Sequence, residues 1–71
     1  MRALDTQIGG NHYMHMPIQP MELSMQNKLN AAQHTAIKYI MRYPFKNGRE
    51  DLEKAIHTIQ MLIEFEYGTG T

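Results

Sequence analysis

The stretch from 48 to 67 places Leu52, Ala55, Ile56, Ile59, Leu62 and Ile63 at steps of three and four. That period brings side chains onto one face only in an α-helix. No other feature of the sequence constrains the fold as strongly. An amphipathic helix of this length needs a second element to cover its apolar face, and the chain supplies one just upstream. Ala32, Ala36, Ile37, Ile40 and Met41 fall at helical spacing over 31–43 and are expected to form a buried face. Asn30-Ala31-Ala32-Gln33 carries the capping-box spacing at its start, and Pro44 stops it. Pro44-Phe45-Lys46-Asn47-Gly48 is short enough to turn the chain directly into the next helix. Asn47 with Glu50 offers a cap at the start of that helix, and Gly68 a stop past its end.

A shorter helix is expected over 20–29, opened by Pro20 at its first position and striped by Met21, Met25 and Leu29. Residues 1–18 contain Gly9-Gly10 and Pro17 and read as an irregular, extended arm lying over the helical body. The expected fold is all-α: one domain over 1–71, with a short helix packed across an antiparallel helical hairpin. Met61 and Phe65 lie to one side of the main stripe, where they either form a subunit contact or widen the core.

Size then bears on assembly. A chain of 71 residues sits near the lower limit for a self-sufficient core. It has no cysteine, so neither a disulfide nor a thiolate metal site can staple it. Seven Met, four Tyr and two Phe are many large apolar side chains for so short a chain. A homo-oligomer is the expected remedy. Seven basic residues balance seven acidic ones, which argues against non-specific nucleic-acid binding. No apolar run approaches the ~18 residues of a membrane span, and the first residues lack the apolar stretch of a signal peptide. The expected location is the cytoplasm.

The chemistry-bearing pattern lies on the second helix. His34, Lys38 and Arg42 repeat every fourth residue and share one ridge, which Lys46 extends into the turn. Such a row of cations calls for a counter-charge. Carboxylates of the third helix, with Asp51 and Lys54 near its start, would offset it, and so would a bound phosphate. An ordinary solvated face is the alternative. The four histidines, His12, His15, His34 and His57, lack the ligand spacing of a metal site, and none is expected. Neither a phosphate-loop signature nor a dinucleotide fingerprint is present.

Five segments in order carry a resemblance: Asp5-Thr6-Gln7-Ile8-Gly9-Gly10-Asn11-His12-Tyr13, Ile18-Gln19-Pro20-Met21-Glu22, Ile37-Lys38-Tyr39-Ile40-Met41-Arg42, Lys46 with Gly48, and Glu50-Asp51-Leu52-Glu53-Lys54-Ala55. Together they resemble the SaV-like family of small phage proteins over about residues 5 to 67. The family is similar to the C-terminal domain of a phage nucleotide kinase that acts on deoxynucleoside monophosphates. The resemblance implies nucleotide contact through His12, Tyr13, Lys38, Arg42, Lys46, Asp51 and Lys54. It also implies a phage origin, oligomerisation, and a setting in the cytoplasm of the infected bacterial host. His34-Thr35 stands where relatives often carry Gly-Asn, and Thr58 where they often carry an aromatic residue.

Three readings follow as expectations. The first is a nucleotide-binding oligomer, kinase-like if it turns over. Lys38, Arg42 and Lys46 would hold phosphate, Asp51 would orient Lys54 or a hydroxyl, and Tyr13 and Gln19 would meet the base. Magnesium dependence stays open, because no carboxylate cluster is distinctive. The alternative is a non-catalytic accessory protein that sequesters a nucleotide signal or binds a host defence protein. A purely structural ridge, paired with acidic residues of a neighbouring subunit, is the third.

Overall fold

The computed structural model describes residues 16–68. Its element order is α1 (Pro20–Gln26), α2 (Ala31–Arg42), a short 3-10 turn (Tyr43–Phe45) and α3 (Arg49–Tyr67). Among the described residues there is no strand, so the all-α expectation stands. The expected arm over 1–18 lies mostly outside these residues, and 16–19 carry no regular structure.

Helix α1 is shorter than the expected 20–29. Lys28 turns into the left-handed conformation, with φ of 54°. There Leu29 N–H bonds the Ser24 carbonyl at 2.9 Å and Lys28 N–H bonds that of Met25 at 3.3 Å. This is the Schellman closure, built on lysine where glycine is usual. The chain must close α1 this early because Asn30 has its own task in extended backbone (φ −78°, ψ 175°). Its side chain accepts from Gln33 N–H at 2.8 Å, while its N–H donates to Gln33 Oε1 at 2.9 Å. That reciprocal pair is the capping box expected from Asn30 and Gln33.

Helix α2 ends one residue before the expected 43, where Pro44 tightens the chain into the 3-10 turn. Gly48, at φ of 54°, then forms the N-cap of α3, a conformation that glycine takes without strain. Asn47 does not cap α3 as expected. Its backbone N–H and side-chain amide both donate to Asp51. At the other end Gly68 N–H closes on the Glu64 carbonyl at 2.9 Å, as expected.

Helices α2 and α3 form the antiparallel hairpin, and α1 packs on α2. The core between them is small. Among the described residues Ala36, Ala55 and Pro20 are the buried apolar side chains, joined by the buried Ser24, Asp51 and Thr58. This corrects the expected faces. On α2, Ile40 is 47% exposed; Ala32, Ile37 and Met41 are half-buried. On α3, Ile56, Ile59 and Ile63 are exposed, and the α2-facing edge runs through Asp51, Ala55, Thr58 and Leu62. On α1, Met21 and Met25 are exposed while Pro20 and Ser24 are buried. Phe65, 89% exposed, does not widen the core, and Met61 is exposed as well. The periodicity located an apolar stripe on each helix correctly, but the single chain covers the edge of that stripe rather than its centre.

Candidate functional site

The hairpin is closed at its turn by a polar lock. Asp51 sits in the first turn of α3 with its side chain fully buried. Arg42, from the last turn of α2, reaches it side-on: Nε donates to Oδ2 at 3.3 Å and Nη2 to Oδ1 at 3.2 Å. Asn47 N–H adds a bond to Oδ2 at 3.2 Å, and its side-chain amide one to Oδ1 at 3.4 Å. Burial pushes this carboxyl up. Hydrogen bonds from Arg42 and Asn47, with the charge of Arg42, outweigh that and hold it below its ordinary 3.8. Asp51 is therefore a carboxylate whose acceptor positions are taken up by the turn.

Beside the lock lies a cluster of cations around one ring. Lys38 Nζ stands 5.3 Å from the centroid of Tyr39, Arg42 Cζ 4.8 Å and Lys54 Nζ 5.7 Å. All three are within the ~6 Å at which a cation is attracted to an aromatic face. The arrangement follows from helical geometry. Lys38 and Arg42 come from the same helix as the ring, one residue before it and three after, and Lys54 crosses from α3. Next to the ring, a groove of about 520 Å³ runs between the two helices, lined among others by Thr35, Tyr39, Glu50, Lys54, His57 and Met61.

The expected site residues divide accordingly. Lys38, Arg42 and Lys54 come together on Tyr39. Asp51 joins Arg42 and not Lys54, whose Nζ pairs with Glu50 Oε1 at 3.3 Å. The expected role of Asp51 in orienting Lys54 is thus replaced by one in fixing Arg42. Lys46 is exposed in the turn. His34 shares the ridge with Lys38 but not its contact with the ring: its Nδ1 lies 2.6 Å from Ser24 Oγ and ties α1 to α2. Gln19 is the N-cap residue of α1. His12 and Tyr13 lie outside the described residues.

Sequence reasoning missed Tyr39 as the centre of the cluster. The signal was present in the Lys-Tyr-x-x-Arg spacing, which sets cations at i−1 and i+3 of an aromatic residue. It also missed Ser24, for which a lone serine in a short helix gives no signal. Among the described residues, no group of three or more histidine or acidic side chains is placed to hold a metal ion. No helix among them is long and apolar enough to cross a membrane.

A family model, DUF3310, described as a protein of unknown function, matches residues 9–60, more than half of the chain. No curated protein and no solved structure matches it significantly.

Proposed function

The chain belongs to the DUF3310 family, and from that premise we propose that its α2/α3 groove binds a phosphate-bearing small molecule, a nucleotide. The observation that carries this reading is the convergence of Lys38, Arg42 and Lys54 on Tyr39 at the edge of the groove. Two of these cations have acidic partners of different kinds. Arg42 is committed to a buried carboxylate. Lys54 is held by Glu50 in a pair that is 42% and 65% exposed, and such pairs exchange partners at little cost. On this reading Lys54, which lines the groove, and Lys38, which reaches the ring from the α1 side, are the phosphate ligands, and Arg42 fixes the ring and the field around it. Thr35 and His57 supply hydrogen-bonding groups further along the groove. The groove, about 520 Å³ and open to solvent, has room for a small ligand.

The SaV-like resemblance supports the same ligand class and a phage setting in the host cytoplasm. Its catalytic form is kinase-like phosphoryl transfer, which depends mainly on positioning and charge stabilisation. Its non-catalytic form is sequestration of a nucleotide. Turnover of a labelled deoxynucleoside monophosphate with a nucleoside triphosphate, with and without magnesium, separates the two. Binding itself is tested with Lys38→Ala/Lys54→Ala, which removes both proposed ligands and leaves the lock intact. Arg42→Ala is the poorer variant, because it strands the buried Asp51. Retention of full nucleotide affinity in the double variant refutes the reading.

A further inference from the structure

The α3 helix carries a second stripe that its own chain does not cover. Ile56 is 57% exposed, Ile59 42% and Ile63 51%, with Leu52 half-buried at the near end. At about 100° per residue this stripe lies roughly a quarter turn from the edge that meets α2. It faces the flank opposite the Tyr39 groove. Ile59 and Ile63 line a separate depression there with Asn30 and Gln33 of α2. Ile40, 47% exposed, falls on the same flank as Gln33 by helical register. These side chains and the exposed Tyr67 present on the order of 500 Å² of apolar surface, at the upper end of what a monomer leaves in water.

The spacing of the stripe says what would cover it. Arg49, Leu52, Ile56, Ile59, Ile63 and Glu66 are separated by three, four, three, four and three residues. This is the alternation of a coiled-coil seam. It reads the same from either end, apart from charge: a cation closes one end and an anion the other. In an antiparallel pair each Arg49 meets the other copy's Glu66, Leu52 meets Ile63, and Ile56 meets Ile59. In a parallel pair Arg49 meets Arg49 and Glu66 meets Glu66. Arg49 is 89% exposed and its pair with Glu53 lies on the surface, so it is available to a partner.

We propose that this flank binds a second copy of the chain through antiparallel packing of the two α3 helices, in a closed two-fold dimer. The self-complementary order of the stripe is what an isologous interface requires. The small core gives the need. Two buried alanines among the described residues are little for a domain of this size, and the dimer buries three isoleucines from each chain. With polar rim residues added, the contact comes near the ~800 Å² per partner of a stable interface. The Tyr39 grooves of both copies stay open on the outer flanks, so this proposal does not depend on the ligand reading.

The test uses the full chain. Light scattering behind gel filtration should give twice the 8.3 kDa of the chain. Arg49→Glu should weaken the dimer by roughly fivefold, since two exposed pairs are lost by symmetry. Arg49→Glu/Glu66→Arg should restore it. Because the chain has no cysteine, orientation is read directly: a mixture of Leu52→Cys and Ile63→Cys chains should form a mixed disulfide, and neither alone should link to itself. A monomeric parent at every concentration overturns the proposal and leaves the flank to another protein or to residues 1–15. Self-linking of Leu52→Cys, or no recovery in the double charge swap, overturns the antiparallel arrangement.

Discussion

The two flanks of one hairpin differ in kind. On one, polar groups are collected and fixed: Asp51 accepts from Arg42 and Asn47, and Lys38, Arg42 and Lys54 gather on Tyr39. On the other, Ile56, Ile59 and Ile63 keep about half of their surface in water. The same two helices supply both. A helix has more than two faces, and a 71-residue chain has too few other elements to cover them all. The polar flank uses the bonded geometry of the turn for rigidity, whereas the apolar flank leaves its stabilisation to an encounter. The proposed ligand site falls on the first, where the cations are already gathered, and the proposed assembly surface on the second.

Breaking the lock should have the largest effect. Asp51→Ala leaves Arg42 without its buried partner and two Asn47 donors unanswered, and the expected outcome is loss of the cooperative melting transition. The pH dependence carries the same signature. The folded-state carboxyl of Asp51 lies below its ordinary 3.8, so in acid the unfolded chain takes up its proton first. Its stabilisation is complete above the ordinary value and is lost as pH falls through the folded one. Denaturation followed below about pH 4 should show stability falling steeply in the parent. In Asp51→Asn the fall should be shallower from a lower start.

Sharpening the comparison calls for variants that touch one flank only. Lys38→Ala/Lys54→Ala should reduce nucleotide affinity by about 10- to 100-fold, the loss of charge-assisted bonds, with the mass in light scattering unchanged. Ile59→Glu should halve the mass while isothermal titration with the same nucleotide still shows binding, as long as circular dichroism reports a folded chain. A variant that moves both readouts together would join the two flanks into one function.

The smallest effects come from the helix ends, which serve both flanks equally. Asn30→Ala removes the capping box and should cost about 1 kcal/mol in chemical denaturation. Lys28→Gly relieves a left-handed lysine at φ of 54° and should gain about 1 kcal/mol. Lys28→Gly should alter neither mass nor affinity.

The sequence made the helices and most of their ends legible, because caps and stops act locally. Asn30 with Gln33, Pro44 and Gly68 each work through bonds within a few residues. The early end of α1 was hidden, since nothing about Lys28 announces a positive φ. What covers each apolar stripe was hidden for a different reason. Periodicity assigns Ile56 and Ile59 to a face, but coverage depends on how α2 and α3 cross, and the alanines at the crossing let the buried edge shift toward Ala55 and Thr58. Of the candidate site, the cations were legible from their four-residue spacing. The ring that gathers them was printed between two of them and became visible only when Lys54 arrived from the other helix. The burial of Asp51 was hidden too, because an acidic residue in the first turn of a helix is ordinarily exposed.

Binding of a nucleotide phosphate to the Tyr39 flank through Lys38 and Lys54 is the proposal on which the polar flank's role rests. The most direct measurement is thermal shift against mono-, di-, tri- and cyclic nucleotides, on the parent and on Lys38→Ala/Lys54→Ala. A bound ligand at a hundredfold excess over its dissociation constant stabilises by about 2.7 kcal/mol. A rise in melting temperature is expected for at least one nucleotide in the parent, and a rise of about half that or less in the double variant. A parent that no nucleotide shifts, or a double variant that shifts as far as the parent, would contradict the proposal.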